Sequence, residues 1–338
     1  MRTSRKEKVC QTMKLLSIRR KLASVKTTSC RFATIIRHSF SLTLIAAVAL
    51  LSLPGPVAGS NAFHFDNQNE VLGKIQRYSV KNNESLYEIG RMYKTGFNEI
   101  VAANPGIDPY VPGKGTKIIL PTSWILPDTS RATGIVINLS EMRLYYFYKK
   151  HWKMIVKTYS IGIGDEGSNT PLGKFKVIEK IVHPAWLVPD SIRKERPELP
   201  AVVPPGPDNP MGSHALRLSK RTVLIHGTDV PWGIGRRVSH GCIRLYPEDI
   251  VELFNLVPVN TRVTIVQQPV KVGFAHEKVY VEVYEDTELK AYDYLGKAKA
   301  LLRKKYLYDR VDMNKLIAAV RKKRGFPVDV SLKKRHRT

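Results

Sequence analysis

The chain has 338 residues, which is enough for one sizeable domain and a smaller one. Hydrophobic residues make up 43% and charged residues 25%, the proportions of a globular protein rather than of a disordered chain. Its 55 Lys and Arg against 29 Asp and Glu give a formal net charge of +26. This charge excludes an electrically balanced surface and favours a polyanionic neighbour, such as nucleic acid, anionic lipid or an acidic wall polymer.

The first part of the chain has the pattern of a secretory leader. A basic segment precedes the apolar run at residues 40–53, and small residues follow at 57–62. The run is shorter than the roughly 20 residues that cross a bilayer. We therefore expect residues 1–62 to direct export to the periplasm or cell wall, with an uncleaved membrane anchor as the alternative. Export argues against nucleic acid as a partner, despite the charge.

Export also changes the interpretation of the three cysteines. Cys10 and Cys30 lie in the predicted leader, which leaves Cys242 alone in the exported part of the chain. A single cysteine cannot form an internal disulfide in an oxidising compartment. Cys242 is therefore an inert buried thiol, an intermolecular link or a reactive group.

Residues 75–122 are predicted to form a small strand–helix–helix–strand module. Residues 75–80 alternate between apolar and polar as a strand does. Asn83 stands where an N-cap is expected before the first helix, and Gly96 is placed to end that helix. A last strand is predicted at residues 117–120, stopped by a proline.

This module resembles a LysM domain. The motifs that carry the resemblance are Tyr78-Ser-Val, Glu84-Ser-Leu, Ala103-Asn-Pro and Gly115-Thr-Lys-Ile-Ile-Leu-Pro. The resemblance implies binding to N-acetylglucosamine-containing glycans such as peptidoglycan or chitin. A spacer domain that has lost its affinity for sugar is the alternative.

A short linker is predicted at residues 123–132, and a mostly-β domain at 133–267. Runs that alternate or are rich in β-branched residues, separated by turn residues, predict its strands. One helix is predicted from Pro247, with acidic residues in its first turn. The expected architecture is α+β and resembles a β-sandwich. The Pro- and Gly-rich segment at 183–212 is too long for an ordinary connector and indicates a functional lid.

Residues 268–338 are predicted to be a basic helical extension. Residues 289–306 and 312–324 have the pattern of helices with Lys and Arg on one side. We favour a solvated face for these charges, with attraction to acidic wall polymers as the alternative. The fold class predicted for the whole chain is multidomain.

The residues at 225–245 carry the predicted chemistry. His226 ends a β-branched strand, and the loop that follows can return Cys242 to its side. A nearby imidazole can take the proton of a thiol and so activate the sulfur as a nucleophile. Gly241 allows close backbone approach, and the amides of Gly241 and Cys242 can face a developing oxyanion. A thiol buried only for packing does not explain why this histidine, glycine and cysteine occur together.

The same segment resembles the signature of the YkuD-type L,D-transpeptidase catalytic domain. The resemblance is carried by His226-Gly-Thr, by Ser239-His-Gly-Cys-Ile-Arg and by Asn169-Thr-Pro-Leu-Gly-Lys-Phe, and it covers residues 133–267. Arg244 stands where many relatives have Asn, which points to the ErfK/YbiS/YcfS/YnhG-like subgroup.

The resemblance implies roles for the site residues. Cys242 is the nucleophile and His226 is the base paired with it. The other residues of the catalytic site, which shape the nucleophile loop and the oxyanion site, are Ser239, His240, Gly241 and Arg244. The residues expected to contact substrate are Gly227, Thr228 and Trp232. A packing role is equally open for Trp232.

The implied reaction is peptidoglycan L,D-transpeptidation without a metal or organic cofactor. Cys242 attacks the carbonyl before the terminal D-alanine of a tetrapeptide stem, and D-alanine leaves. An amine then takes the acyl group, either on a neighbouring stem, giving a 3→3 cross-link, or on a lysine of an outer-membrane lipoprotein. With water as acceptor the enzyme is an L,D-carboxypeptidase, and carbapenems are expected to acylate Cys242.

Three other hypotheses account for parts of the sequence. A cysteine peptidase of peptidoglycan usually places its cysteine before its histidine, the reverse of the order here. A zinc site made of His226, His240 and Cys242 is weak because it has a single thiolate. A LysM-type glycan-binding scaffold with an inactive catalytic domain is opposed by the intact His226 and Cys242.

Overall fold

The computed structural model describes residues 61–65, 68–129 and 133–333. The predicted leader lies outside this part of the chain except for its last two residues. Asn61 donates a hydrogen bond from its amide to Glu252, and Ala62 begins an edge strand of the large sheet. These two residues therefore contact the large sheet, and the leader boundary at residue 62 stays a prediction. In the described part of the chain, none of the helices has the length and apolar content to cross a membrane.

The N-terminal region consists of short strands and two short helices. Its elements are β1 (Ala62–Phe65), β2 (Val71–Gly73), β3 (Gln76–Ser79), α1 (Leu86–Met92), α2 (Phe97–Ala103), β4 (Lys117–Leu120) and β5 (Ser123–Ile125). β3 pairs antiparallel with β4, and β2 pairs antiparallel with β5. The predicted strand–helix–helix–strand order is confirmed.

The first helix of this module begins two residues later than the sequence predicts. Its N-cap is Ser85, whose hydroxyl accepts from the backbone N–H of Glu88 while the Glu88 carboxylate accepts from that of Ser85. This reciprocal pair satisfies two N–H groups at the helix start, which Asn83 cannot do from its position. Behind the helix, Leu86, Ile89 and Ile100 are fully buried in the core of the module.

Residues 123–125 are not a linker, contrary to the prediction. They form β5, and all three are buried. Trp124 packs edge-on against Phe63, with ring centroids 6.0 Å apart, and its indole N–H donates to Glu99 in α2. The segment between the two domains is thus part of the core that joins them.

The catalytic region is built from many strands and few helices. Its elements are β6 (Gly134–Asn138), β7 (Arg143–Lys150), β8 (Lys153–Ser160), β9 (Ile163–Gly164), β10 (Gly173–Val182), β11 (Trp186–Leu187), α3 (Asp190–Glu195), β12 (Val202–Val203), β13 (His214–Leu218), β14 (Leu224–His226), β15 (Arg237–Ser239), β16 (Ile243–Arg244), α4 (Pro247–Leu256) and β17 (Arg262–Val266).

Nine strands of the described chain form one sheet in the order β1-β8-β7-β6-β17-β10-β13-β14-β16. The β6–β17 and β14–β16 pairs are parallel and the others are antiparallel. Leu144 of β7 and Ile225 of β14 lie in the same buried cluster although their strands are far apart in the sheet. The sheet therefore curls around its core, in place of the two facing sheets of the predicted sandwich-like arrangement.

The C-terminal region is a small α/β unit rather than a purely helical extension. Its elements are β18 (Val270–Ala275), β19 (Lys278–Val283), α5 (Tyr294–Lys304), α6 (Met313–Lys322) and β20 (Val328–Asp329). Both predicted helices are present, but they pack on a three-stranded antiparallel sheet with its own buried cluster. The buried ammonium of Lys271 donates to Glu141 of the catalytic region at 2.5 Å, which joins the two cores.

Candidate active site

His226 lies at the end of β14, between β13 and β16, and is 3% exposed. Its Nδ1 lies 2.7 Å from the carbonyl oxygen of Gly227. Burial, reinforced by the nearby Arg244 guanidinium, lowers the pKa of His226 to about 4. The imidazole is therefore neutral at physiological pH and is able to accept a proton.

Cys242 lies immediately before β16, which pairs in parallel with β14. Ile225 faces Ile243 in this register, and both side chains point into the core. Since side chains alternate along a strand, His226 and Cys242 project from the opposite face, diagonally across the strand pair. The structure thus brings the predicted nucleophile and base to one face of two adjacent strands.

The two side chains make separate contacts in this structure. The Cys242 thiol donates to the carbonyl of Thr222 over 3.6 Å. Burial raises the pKa of the Cys242 thiol above its ordinary value, although Arg244 opposes the shift. Among the described residues no hydrogen bond links the sulfur to His226, so the resting pair is a neutral thiol and a neutral imidazole.

Arg244 faces His226 directly across the parallel strand pair. Its guanidinium is close enough to lower the pKa of both His226 and Cys242. Burial lowers the pKa of Arg244 itself, and the Asp229 carboxylate counteracts this effect. The Nε of Arg244 and the Oδ1 of Asp229 are buried without a hydrogen-bond partner in the described structure. Buried polar atoms are normally paired, so this site has an unused donor beside Cys242.

Ser239 and Gly241 shape the turn that presents Cys242. The buried Ser239 hydroxyl donates to the Cys242 carbonyl at 2.6 Å. Gly241 has φ +98°, a left-handed conformation that favours glycine, and a Cβ there would lie 3.5 Å from the carbonyls of Ser168 and Asn169. His240 is exposed on the same turn.

Gly227, Thr228 and Trp232 begin the loop that leads from His226 to Cys242. Gly227 packs against the backbone of Gly212, so closely that a Cβ on Gly212 would lie within 2.9 Å of it. Thr228 is buried and its hydroxyl accepts from the N–H of Val230, which makes it a turn-forming residue. Trp232 is 61% exposed and free to contact a substrate.

The segment at 183–212 is ordered by Asn209, a residue that the sequence did not mark. Asn209 is 1% exposed, and its amide donates to the carbonyls of Pro184, Val203 and Pro204. The end of the segment reaches His226, where the backbone of Met211 opposes the lowering of the imidazole pKa. Asp229 was also missed, since nothing local distinguishes it from any loop aspartate.

The hypothesis of a zinc site gains no support. In the part of the chain that the structure describes, no three His, Cys, Asp or Glu side chains are grouped closely enough to hold a metal ion. His226, His240 and Cys242 therefore do not form such a group.

Comparison with known proteins identifies two domains. The family model of the L,D-transpeptidase catalytic domain, YkuD, matches residues 132–265, and that of the LysM domain matches residues 78–121. Probable L,D-transpeptidase YcfS of Escherichia coli (strain K12) is 40% identical over 258 residues, which cover 74% of this chain and 77% of that protein. Probable L,D-transpeptidase ErfK/SrfK of Salmonella typhimurium is 38% identical over 307 residues, covering 86% and 95%.

Among solved structures, the Ldtfm–avibactam carbamoyl enzyme aligns with 40% of this chain and 49% of that chain, at 24% identity and a TM-score of 0.32. The aligned segments span most of each relative and most of this chain. In the structure, the motif residues His226 and Cys242 lie together at the β14–β16 strand pair. The chain therefore belongs to the L,D-transpeptidase family, with a LysM domain before its YkuD catalytic domain.

Proposed function

We propose that this protein is an exported peptidoglycan L,D-transpeptidase in which Cys242 is the nucleophile and His226 the general base. The observation that carries the proposal is the parallel β14–β16 pair, which holds both side chains on one face with Arg244 beside them. Membership of the family supplies the class of reaction. The LysM domain is proposed to hold the catalyst on the glycan, which raises the local concentration of stems.

The first half-reaction is acylation by a tetrapeptide stem. Because the thiol of Cys242 and the ring of His226 are both neutral at rest, the proton passes from sulfur to imidazole as the sulfur attacks the carbonyl before the terminal D-alanine. The C–N bond then breaks, the proton goes to the departing D-alanine amine, and a thioester remains. The amides of Gly241 and Cys242 are proposed to bind the oxyanion, at the turn held open by the Gly241 backbone.

Arg244 is proposed to bind the carboxylate of the terminal D-alanine. That carboxylate lies one residue beyond the bond that breaks, and Arg244 follows the nucleophile by two residues on the same strand face. Its buried, unpartnered Nε is a donor suited to a carboxylate, and Asp229 offsets the cost of burying its charge. The negative charge of that carboxylate would thus direct the D-alanine end of the stem to Arg244.

The second half-reaction transfers the acyl group to an acceptor. An amine of a neighbouring stem gives a 3→3 cross-link, and a lysine of an outer-membrane lipoprotein gives a wall–protein link. Water gives L,D-carboxypeptidase activity instead.

A scaffold without turnover is the second candidate function. The exposed aromatic residues Tyr110 of the LysM domain and Trp232 of the catalytic loop suit a binding surface.

The test uses purified protein and disaccharide-tetrapeptide muropeptide, with Cys242→Ala in parallel and products analysed by mass spectrometry. We expect D-alanine release and a dimer from the wild type and neither from the variant. A carbapenem should add its mass to the wild type alone. Equal products from both proteins would show that Cys242 takes no part in the mechanism. If the wild type gives no product but still binds the wall, the scaffold function is favoured instead.

A further inference from the structure

The β7–β8 hairpin ends in a tip, residues 149–153, that extends past the neighbouring strand. Lys150 pairs with Lys153 at the turn, whereas the pairing of β7 with β6 ends at Phe147, opposite Gly134. Three residues of an antiparallel strand span about 10 Å, so the tip stands roughly that far beyond the start of β6. The tip contains none of the residues assigned above to the catalytic site.

Trp152 at this tip is 100% exposed, compared with 61% for Trp232 and 1% for Trp124. A large aromatic side chain is usually well buried, because burying its roughly 150–250 Å² of surface is favourable. No other side chain in the described part of the chain shields the Trp152 ring. The whole ring is therefore available to a partner.

The same tip carries three lysines without a carboxylate partner. Lys149, Lys150 and Lys153 are exposed, and no acidic side chain among the described residues forms an ion pair with them. Lys150 lies directly opposite Lys153 in the strand pair. Like charges in this arrangement destabilise a hairpin, and an external anion would offset their repulsion.

The strands beside the tip continue the positive charge. Arg262 at the start of β17 faces Lys176 of β10, and both are exposed. Val259, in the turn before β17, is 45% exposed. Farther from the tip, Lys157 of β8 is paired with Glu252 of α4, so the unpaired charge is concentrated near the turn.

The hairpin tip together with Lys176, Val259 and Arg262 is called the basic rim below. The strands and turns that form this side of the sheet contain no Asp or Glu over residues 133–138, 143–160, 173–178 and 257–266. The basic rim is therefore a surface of one sign of charge with a protruding aromatic ring.

We infer that the basic rim docks on the surface of an anionic lipid bilayer, with the Trp152 ring among the lipid headgroups and the lysines beside the lipid phosphates. Tryptophan favours the membrane–water interface, and lysines near an anionic leaflet are attracted to it. Sugars and peptides are bound in concave sites with several polar groups, whereas this tip is convex. The inference is independent of the proposed catalytic function.

The experiment measures the partition of the full-length exported protein onto lipid vesicles by cosedimentation. One set of vesicles contains equal parts of phosphatidylglycerol and phosphatidylcholine, and the other contains phosphatidylcholine alone. The test variants are Trp152→Ser and the double variant Lys150→Gln/Lys153→Gln. Because every protein compared carries the same N-terminal region, binding by that region cancels in the ratios.

Matched controls change the same residue types elsewhere on the surface. Trp232→Ser removes another exposed tryptophan, and Lys114→Gln/Lys117→Gln removes two exposed lysines of the LysM domain. Sedimentation with purified peptidoglycan is measured in parallel. Carbapenem adduct formation at Cys242 shows whether the tip variants are folded, and it should be unchanged in both.

We expect Trp152→Ser to weaken partition onto the anionic vesicles about tenfold, the scale of burying part of one aromatic ring. The double lysine variant should weaken it about thirtyfold at low salt, and this difference should shrink as salt is added. Both controls should match the wild type. Lipids brominated on their chains should quench the fluorescence of the wild type more than that of Trp152→Ser.

Wild-type partition by both tip variants overturns the inference, as does equal partition of the wild type onto neutral and anionic vesicles. If the tip variants instead lose binding to peptidoglycan and keep binding to vesicles, the partner of the basic rim is the wall polymer and the lipid assignment is wrong.

Discussion

The guanidinium of Arg236 lies 3.9 Å from the centre of the Phe97 ring, so the loop between His226 and Cys242 rests on the second helix of the LysM domain. Arg236 also donates to the Tyr110 hydroxyl at 3.1 Å. The neighbouring Gly235 has φ +78°, and a Cβ there would lie 2.3 Å from the Phe97 nitrogen. The LysM domain therefore supports this loop, in addition to the glycan binding proposed for it.

Removing this support should slow catalysis on substrates that contain no sugar. A cation–π contact is worth about 0.5–2 kcal/mol, so we expect Arg236→Ala to slow carbapenem acylation of Cys242 by about two- to thirtyfold. Because a carbapenem carries no glycan, reduced sugar affinity cannot cause this effect. Stopped-flow or mass-spectrometric acylation rates check it.

The matched control is Arg310→Ala, which removes a similar contact, 4.6 Å from the Phe274 ring in the C-terminal unit. That variant should acylate at the wild-type rate. If Arg236→Ala also does so, the LysM domain does not position the loop.

A buried ion pair joins the LysM domain to the catalytic sheet. Arg143 of β7 donates to both carboxylate oxygens of Glu99 in α2, at 2.8 and 2.5 Å, and both side chains are 0% exposed. Glu99 also accepts from the Trp124 indole at 2.8 Å. Glu99→Gln leaves a buried guanidinium without its counter-charge, so we expect a loss of about 3–5 kcal/mol in the free energy of unfolding.

Urea unfolding measures this loss. Glu179→Gln is the control, because it breaks a partly exposed pair with Arg217, and it should cost less than about 1 kcal/mol. Similar midpoints for the two variants would mean that the buried pair contributes no more than a surface pair.

The pH dependence of Cys242 reactivity follows from the two pKa shifts. Burial raises the pKa of the thiol above its ordinary 9.0, and burial with Arg244 lowers that of His226 to about 4. The unliganded enzyme therefore holds a thiol and a neutral imidazole between these values. Alkylation of Cys242 by iodoacetamide should rise about tenfold per pH unit through pH 8, because only the thiolate reacts.

Alkylation rates measured from pH 5 to 10 by mass spectrometry test this expectation. A rate that is flat from about pH 5 to 8 would instead indicate a thiolate–imidazolium pair, in which the pKa values are shifted in the opposite directions. Cys242→Ala sets the background for other sites.

Some predictions from the sequence succeeded because their signals are local. The two strands and two helices of the LysM domain follow from apolar periodicity and turn residues within one short segment. The turn from Ser239 to Cys242 needs a residue that tolerates a positive φ at position 241, and Gly241 has φ +98° there. The β18–β19 hairpin also had a local signal, the alternation in residues 270–275 and 278–283, which the basic composition of the C-terminal region obscured.

The sequence by itself determined the two domain families and the residues of the motif, since these depend on order and spacing along the chain. Only the tertiary structure decided that Glu99 meets Arg143 and that Arg236 rests on Phe97. Each of these contacts joins residues from different domains, and no pattern along the chain marks the residues that meet. Burial depends on how the whole sheet curls and how its neighbours dock, which no local pattern encodes.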